Sequence, residues 1–195
     1  MTPAQQSTWW QFLRGFLRSP RTVGSIAPSS SSLVRAMLDA AGLERRQVIA
    51  EFGPGTGVFT VEIVRRMQPE ARLLVFEIDE DFAARLRREV GDSRVTVIHA
   101  SAADLDHCLA EHKLQAVDCV VSGLPFTSLP REVTHAILEV TRRSLAPSGV
   151  FVTYQYTPVM RPLLRSYFPS VRIARLVPRN LPPALVFVCA GRPSS

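Results

Sequence analysis

The chain is poor in lysine and uneven in acid. Lys113 is its only lysine, so almost all positive charge is arginine. Residues 1–38 hold four arginines and no carboxylate, and residues 140–195 hold eight arginines and no carboxylate. Only the middle, residues 39–139, is acidic, with eleven basic and seventeen acidic side chains. Two acid-free ends around an acidic centre point to a polyanionic partner, a membrane surface or a nucleic acid. Long apolar runs are also missing: nothing approaches the roughly 20 uncharged residues that cross a bilayer. The first apolar stretch carries Arg14 and no small-residue cleavage site follows, so no secretory leader is expected. Cysteine is scarce. Cys108, Cys119 and Cys189 are scattered and odd in number, which excludes a disulfide framework and metal-ligand spacing and suits buried thiols in the cytoplasm.

What is present is an ordinary core-forming composition, 195 residues of which 46% are hydrophobic. Apolar, β-branched runs recur at 47–52, 72–78, 95–100, 116–122, 149–156, 171–177 and 184–190. Helical patterns lie near 30–41, 58–67, 80–90, 104–112, 131–145 and 159–167. Alternating strands and helices predict parallel βαβ units, hence an α/β fold with a doubly wound, seven-stranded, mostly parallel sheet. The six residues Pro178 to Pro183 are too few for a crossover helix, so the last two strands should pair antiparallel. One domain is expected over 1–195, with 1–24 as an appended amphipathic segment.

The first predicted strand runs into Glu51-Phe52-Gly53-Pro54-Gly55-Thr56-Gly57. Closely spaced glycines let a backbone turn sharply against a ligand, and the helix that follows offers free N–H groups to it. Glu77 ends the next strand, twenty residues past Gly57, where a carboxylate can accept both ribose hydroxyls of a nucleoside. The E-x-G-x-G-x-G form differs from the nicotinamide fingerprint G-x-G-x-x-G. It resembles motif I of the class I S-adenosylmethionine (SAM) methyltransferases, and seven strands ending in an antiparallel hairpin match their Rossmann-like layout. The resemblance implies SAM as cofactor, held by Glu51, Gly53, Gly55, Thr56, Gly57, Glu77 and Ile78. Many such enzymes place an acid after strand three for the adenine amine. Here that position reads Ala100-Ser101-Ala102-Ala103-Asp104, so Ser101, or a backbone group beside Ala102, takes the role.

A further helical pattern falls near 5–18. On a helical wheel Trp9, Trp10, Phe12, Leu13, Phe16 and Leu17 fill one arc of roughly 160°, with Gln11, Arg14, Gly15 and Arg18 opposite. Aromatics on one face and arginine on the other describe a helix lying in a membrane interface; packing on the sheet or across a dimer interface is the alternative. At ~1 kcal/mol per half-buried side chain and per arginine near anionic lipid, such a helix gives reversible adhesion.

After the fourth strand comes Ser122-Gly123-Leu124-Pro125-Phe126. The ribosomal RNA adenine dimethyltransferases, similar in layout, carry N-L-P-Y there; their Asn orients the amine and their Tyr stacks on the base. Gly123 and Phe126 stand in those places, which disfavours a nucleobase acceptor. Together with Pro20-Arg21-Thr22-Val23-Gly24-Ser25-Ile26-Ala27-Pro28-Ser29-Ser30, Leu129-Pro130 and Asn180-Leu181-Pro182-Pro183-Ala184, these residues resemble the bacterial phospholipid N-methyltransferases that convert phosphatidylethanolamine to phosphatidylcholine. The resemblance covers nearly the whole chain. It implies an enzyme that methylates phosphatidylethanolamine and its mono- and dimethyl forms while docked on the anionic inner face of the cytoplasmic membrane. No metal and no nucleic acid are expected as partners, and the oligomeric state is open, a monomer sufficing.

For the chemistry, Tyr154 and Tyr156 should share one side of strand five and Gln155 the other. Their rings can orient an amine and favour its cationic products, beside Ser122, Gly123 and Leu124. His99 is read as a packing residue. For a lipid phosphate, Ser29 and Ser30, in a serine run at a helix start, compete with Arg179 and Asn180; Phe126 borders the acceptor. Two rival functions stand beside this reading: an RNA adenine N6-methyltransferase, and a SAM-binding membrane-associated protein without turnover.

Overall fold

The structure, a computed structural model, describes residues 30–191. Helix α1 (Ser31–Ala41) leads to β1 (Val48–Phe52), α2 (Val58–Arg66), β2 (Arg72–Glu77), α3 (Glu80–Val90) and β3 (Val95–His99). Then come α4 (Leu105–Glu111), β4 (Val117–Ser122), α5 (Arg131–Ser144), β5 (Leu145–Gln155), α6 (Arg161–Tyr167), β6 (Ser170–Val177) and β7 (Ala184–Ala190). The sequence-predicted helix near 5–18 lies outside the described residues. Strand five starts earlier than its β-branched run suggests. Helix α5 passes into extended backbone at Leu145, which pairs with Val117 before a register shift.

The seven strands order as β3-β2-β1-β4-β5-β7-β6. Strands β1 to β5 are parallel neighbours, while β7 slots between β5 and β6 antiparallel to both. The order reverses between β1 and β4, and in doubly wound sheets the crevice at this point receives the ligand. Two cores flank the sheet. Leu33, Met37, Ile49, Ile63 and Val75 belong to the one under α1 and α2; Phe52, Phe76, Leu138, Phe151 and Phe187 belong to the other, under α4 to α6. At about 25 cal/mol per Å² of apolar area removed from water, these two layers are the main favourable contribution to folding. At the opposite edge from the crevice, Asp118 Oδ2 accepts from the Gln47 and Val48 amides at 2.8 and 2.9 Å and fixes the start of β1 against β4.

Candidate active site

The loop from Gly53 to Gly57 leaves β1 at the switch point. Gly53, Gly55 and Gly57 all have positive φ, and Gly55, at φ +55°, faces open space where a Cβ would point. An L side chain is strained in that conformation and would fill the space, so Gly55 keeps a backbone-lined cradle open. Gly57 caps α2, and its carbonyl accepts from Val61.

Three buried carboxylates line this end of the sheet: Glu51, Glu77 and Asp79. Neither Glu51 oxygen has a hydrogen-bond partner. Burial pushes its carboxyl up to about 8; the Thr60 hydroxyl, also buried and short of hydrogen-bond geometry, opposes the shift, and Glu77 adds to it. Glu77 Oε1 accepts from the Ile78 and Asp79 amides at 2.7 and 2.9 Å, while its buried Oε2 has no partner. Burial raises the Glu77 carboxyl, against the Asp79, Ile78 and Gly55 amides, and Asp79 adds to the rise. Asp79 caps α3, accepting from Asp81 and Phe82. An open cradle beside an orphaned acceptor fits a nucleoside carrying a vicinal diol.

Beyond Glu77, His99 is exposed and its Nε2 bonds the Ile78 carbonyl at 3.1 Å. It therefore ties β3 to the loop after β2, and the packing role expected from sequence is corrected. Ser101 and Asp104 form a reciprocal cap on the turn before α4: Ser101 Oγ accepts from Ala103, and Asp104 accepts from the Ser101 amide. Ala102 is buried beneath them.

On the acceptor side, the Gly123 amide donates to the Phe52 carbonyl at 2.9 Å. A Cβ on Gly123 would lie 2.8 Å from the Gly53 carbonyl oxygen, so the β1 and β4 loops meet through bare backbone. Leu124 lies over Gly53, its Cδ2 2.8 Å from where a Cβ there would stand, and the Leu124 amide donates to Ser122 Oγ. Phe126 turns away from this surface. It is buried in the second core, edge-on to Phe151 at 6.0 Å.

Tyr154 and Tyr156 share the α1 side of the sheet, with ring centroids 5.8 Å apart and edge to face. Burial raises the Tyr156 phenol well above its ordinary value; Tyr154 adds to this and the nearby Asn180 side chain opposes it. The structure joins the two segments that competed for the phosphate. Asn180 Oδ1 accepts from Ser30 Oγ and the Ser30 amide at 2.9 and 3.2 Å, and Nδ2 donates to the Pro182 carbonyl at 2.8 Å. Ser30 also caps α1, accepting from the Leu33 amide. Arg179 is exposed beside this clasp. Trp9, Trp10, Phe12, Leu13, Arg14, Phe16, Leu17, Arg18 and Ser29 lie outside the described residues. Sequence reasoning did not single out Thr60, Asp79 or the Ser30–Asn180 contact; only for Asp79 was there a signal, an acid just before a helical pattern. Among the described residues no group of His, Cys, Asp or Glu is arranged to hold a metal, and no helix is long and apolar enough to cross a membrane.

Sheet order, glycine loop and strand-tip carboxylate define a class I SAM-dependent methyltransferase. The chain belongs to the ribosomal RNA adenine dimethylase family, whose model matches residues 28–151. An ornithine lipid N-methyltransferase of Singulisphaera acidiphila is 36% identical over 182 residues, covering 92% of this chain and 94% of that protein. A ribosomal RNA small subunit methyltransferase A of Bordetella petrii is 35% identical over 98 residues, 50% of this chain and 35% of that protein. Among solved structures, a Burkholderia thailandensis 1,6-didemethyltoxoflavin-N1-methyltransferase with bound S-adenosylhomocysteine superposes with a TM-score of 0.71 at 15% identity, covering 98% of this chain and 91% of that one. That likeness speaks for the fold.

Proposed function

We propose that the protein transfers the methyl group of SAM to the amine of a membrane lipid, phosphatidylethanolamine and its mono- and dimethyl forms, giving phosphatidylcholine. The observation that carries this is the extent of likeness: the lipid-methylating relative matches 92% of the chain, the ribosomal RNA relatives about half. Gly123 supports it, because the backbone contact with Gly53 leaves no room for the side-chain amide that would orient a base. Ornithine lipid, the substrate in that relative's name, offers the same chemistry, an amine on a membrane lipid. The family description favours RNA as the rival acceptor.

SAM supplies a methyl on a sulfonium, and an in-line displacement forms the N–CH3 bond as the S–CH3 electron pair returns to sulfur. With SAM bound, Glu77 Oε2, which has no partner of its own, would accept from the ribose, the Gly53–Gly57 backbone would line the cofactor, and Ser101 and Ala102 would border the adenine. The Glu51 carboxyl, unpartnered and raised, ionises when a donor or cation arrives beside it. Ser122, Gly123 and Leu124 border the reacting amine, and Tyr154 and Tyr156 present ring faces to its increasingly cationic products. Tyr156 keeps its proton at neutral pH, so it orients rather than deprotonates. Ser30, Arg179 and Asn180 take the phosphate side, with Ser29 assigned there by the sequence reading alone, Phe126 supports the loop from below, and the amine proton leaves to solvent. The protein acts at the inner face of the cytoplasmic membrane, held by its N-terminal segment.

The test is incubation with labelled SAM and, in separate reactions, phosphatidylethanolamine vesicles, ornithine lipid vesicles and unmodified ribosomal RNA, read by mass analysis. Methylated phosphatidylethanolamine is the expected result. Label in ornithine lipid alone would move the substrate, and label in RNA alone would overturn the lipid reading.

A further inference from the structure

Large apolar side chains stand out in solvent at one corner of the molecule. Val159, Leu176 and Leu181 are 72%, 61% and 76% exposed. Val159 lies in the turn after β5, Leu176 near the end of β6, and Leu181 in the loop to β7. The strand pairings set the ends that carry them side by side: Gln155 at the end of β5 pairs with Leu185, and Leu176 pairs with the same Leu185 from the other side. Because β5 is parallel to β4 and β4 to β1, this corner is on the edge that carries the Gly53–Gly57 loop.

Each exposed apolar residue has an arginine within two positions: Arg161 by Val159, Arg175 by Leu176 and Arg179 by Leu181. From residue 140 to 191 there are seven arginines and no acid. We infer that the corner formed by Val159, Leu176 and Leu181, with the exposed Arg175 and Arg179 beside it, is a docking surface for the interfacial layer of an anionic bilayer, separate from the N-terminal segment. Aliphatic tips gain by leaving water for acyl chains, and guanidinium groups on the same corner meet lipid phosphates. A nucleic acid fits less well, since aliphatic tips give bases nothing to stack on. A second copy fits less well too, because a two-fold contact would set arginine against arginine with no carboxylate between. The surface would turn the cofactor-bearing edge toward the membrane. This deepens the lipid reading by naming where the fold meets the bilayer, and its test reads docking without turnover, so a failed substrate assignment leaves it standing.

The three native cysteines are buried, so Leu181→Cys in the full chain can be labelled selectively with an environment-sensitive fluorophore. On vesicles of phosphatidylethanolamine and phosphatidylglycerol the emission should shift to the blue. No shift while the protein sediments with the vesicles overturns the inference, as does a shift produced equally by an RNA oligonucleotide. In parallel, V159S/L181S should weaken vesicle binding about tenfold, with affinity for S-adenosylhomocysteine unchanged. Unchanged vesicle binding overturns it.

Discussion

The two halves of the sheet handle charge in opposite ways. On the β1–β3 half the carboxylates at the ligand edge are buried: Glu51, Glu77 and Asp79 at 1%, 2% and 0% exposure, and Glu51 and Glu77 keep oxygens without a hydrogen-bond partner. On the β5–β7 half the charged groups toward that edge are arginines, and Arg175 and Arg179 are exposed. Buried acids hold one small ligand in a fixed pose, since each orphaned oxygen needs a partner of defined geometry. Exposed arginines read a surface, where charge density matters more than register. One half suits a cofactor, and on the proposed reading the other meets something large and anionic.

The sharpest way to break this comparison is in the cradle. Gly55→Arg should cost more than about 100-fold in affinity for S-adenosylhomocysteine by calorimetry, because the side chain enters the open space at a strained φ. Unchanged affinity would make the loop a mere turn. Glu51→Gln addresses the buried acid. The folded carboxyl titrates near 8 and the unfolded one near 4.5, so between these values the native state keeps a proton the unfolded chain has lost. Stability contributed by that proton is full below 4.5, falls as pH rises, and is gone above 8. The Gln variant should therefore gain on the wild type from pH 5 to pH 9, by about 3–5 kcal/mol in urea denaturation. Parallel curves would mean Glu51 is already ionised in the native state.

On the other half, replacing Trp9, Phe12 and Phe16 with Ser should strip vesicle binding by roughly 100-fold and leave cofactor affinity intact. Turnover on vesicles that survives this change would make the segment structural. Tyr156→Phe should have the smallest effect, lowering lipid turnover about threefold to tenfold through the lost hydroxyl while keeping the ring and cofactor affinity. A fall in cofactor affinity instead would move Tyr156 to the other half of the comparison.

The cofactor half was the more legible in sequence. Its glycines follow the end of β1, Glu51 and Glu77 stand in the last two positions of their strands, and the parallel register Glu51 to Val75 follows from two adjacent apolar runs. Strand alternation likewise put Tyr154 and Tyr156 on one face. The Ser30–Asn180 clasp was not legible, because 150 residues separate its partners and only the docking of α1 beside β7 brings them together. Thr60 faced the same difficulty: its helical position says that it is buried, not that it meets a carboxylate. His99 was misjudged because a residue at a strand tip can turn to the solvent side of a loop.

The bare contact between Gly123 and Gly53 sets a limit on how this protein can change its acceptor. Grafting an N-L-P-Y segment onto positions 123–126 would drive the new Asn Cβ to within 2.8 Å of the Gly53 oxygen, a backbone atom that cannot swing aside. The cofactor loop would have to move first, so no single substitution at Gly123 leads smoothly from one substrate class to the other. On the proposed reading, acceptor choice then rests on a pair of loops, and a designer who wants a different acceptor must rebuild both at once.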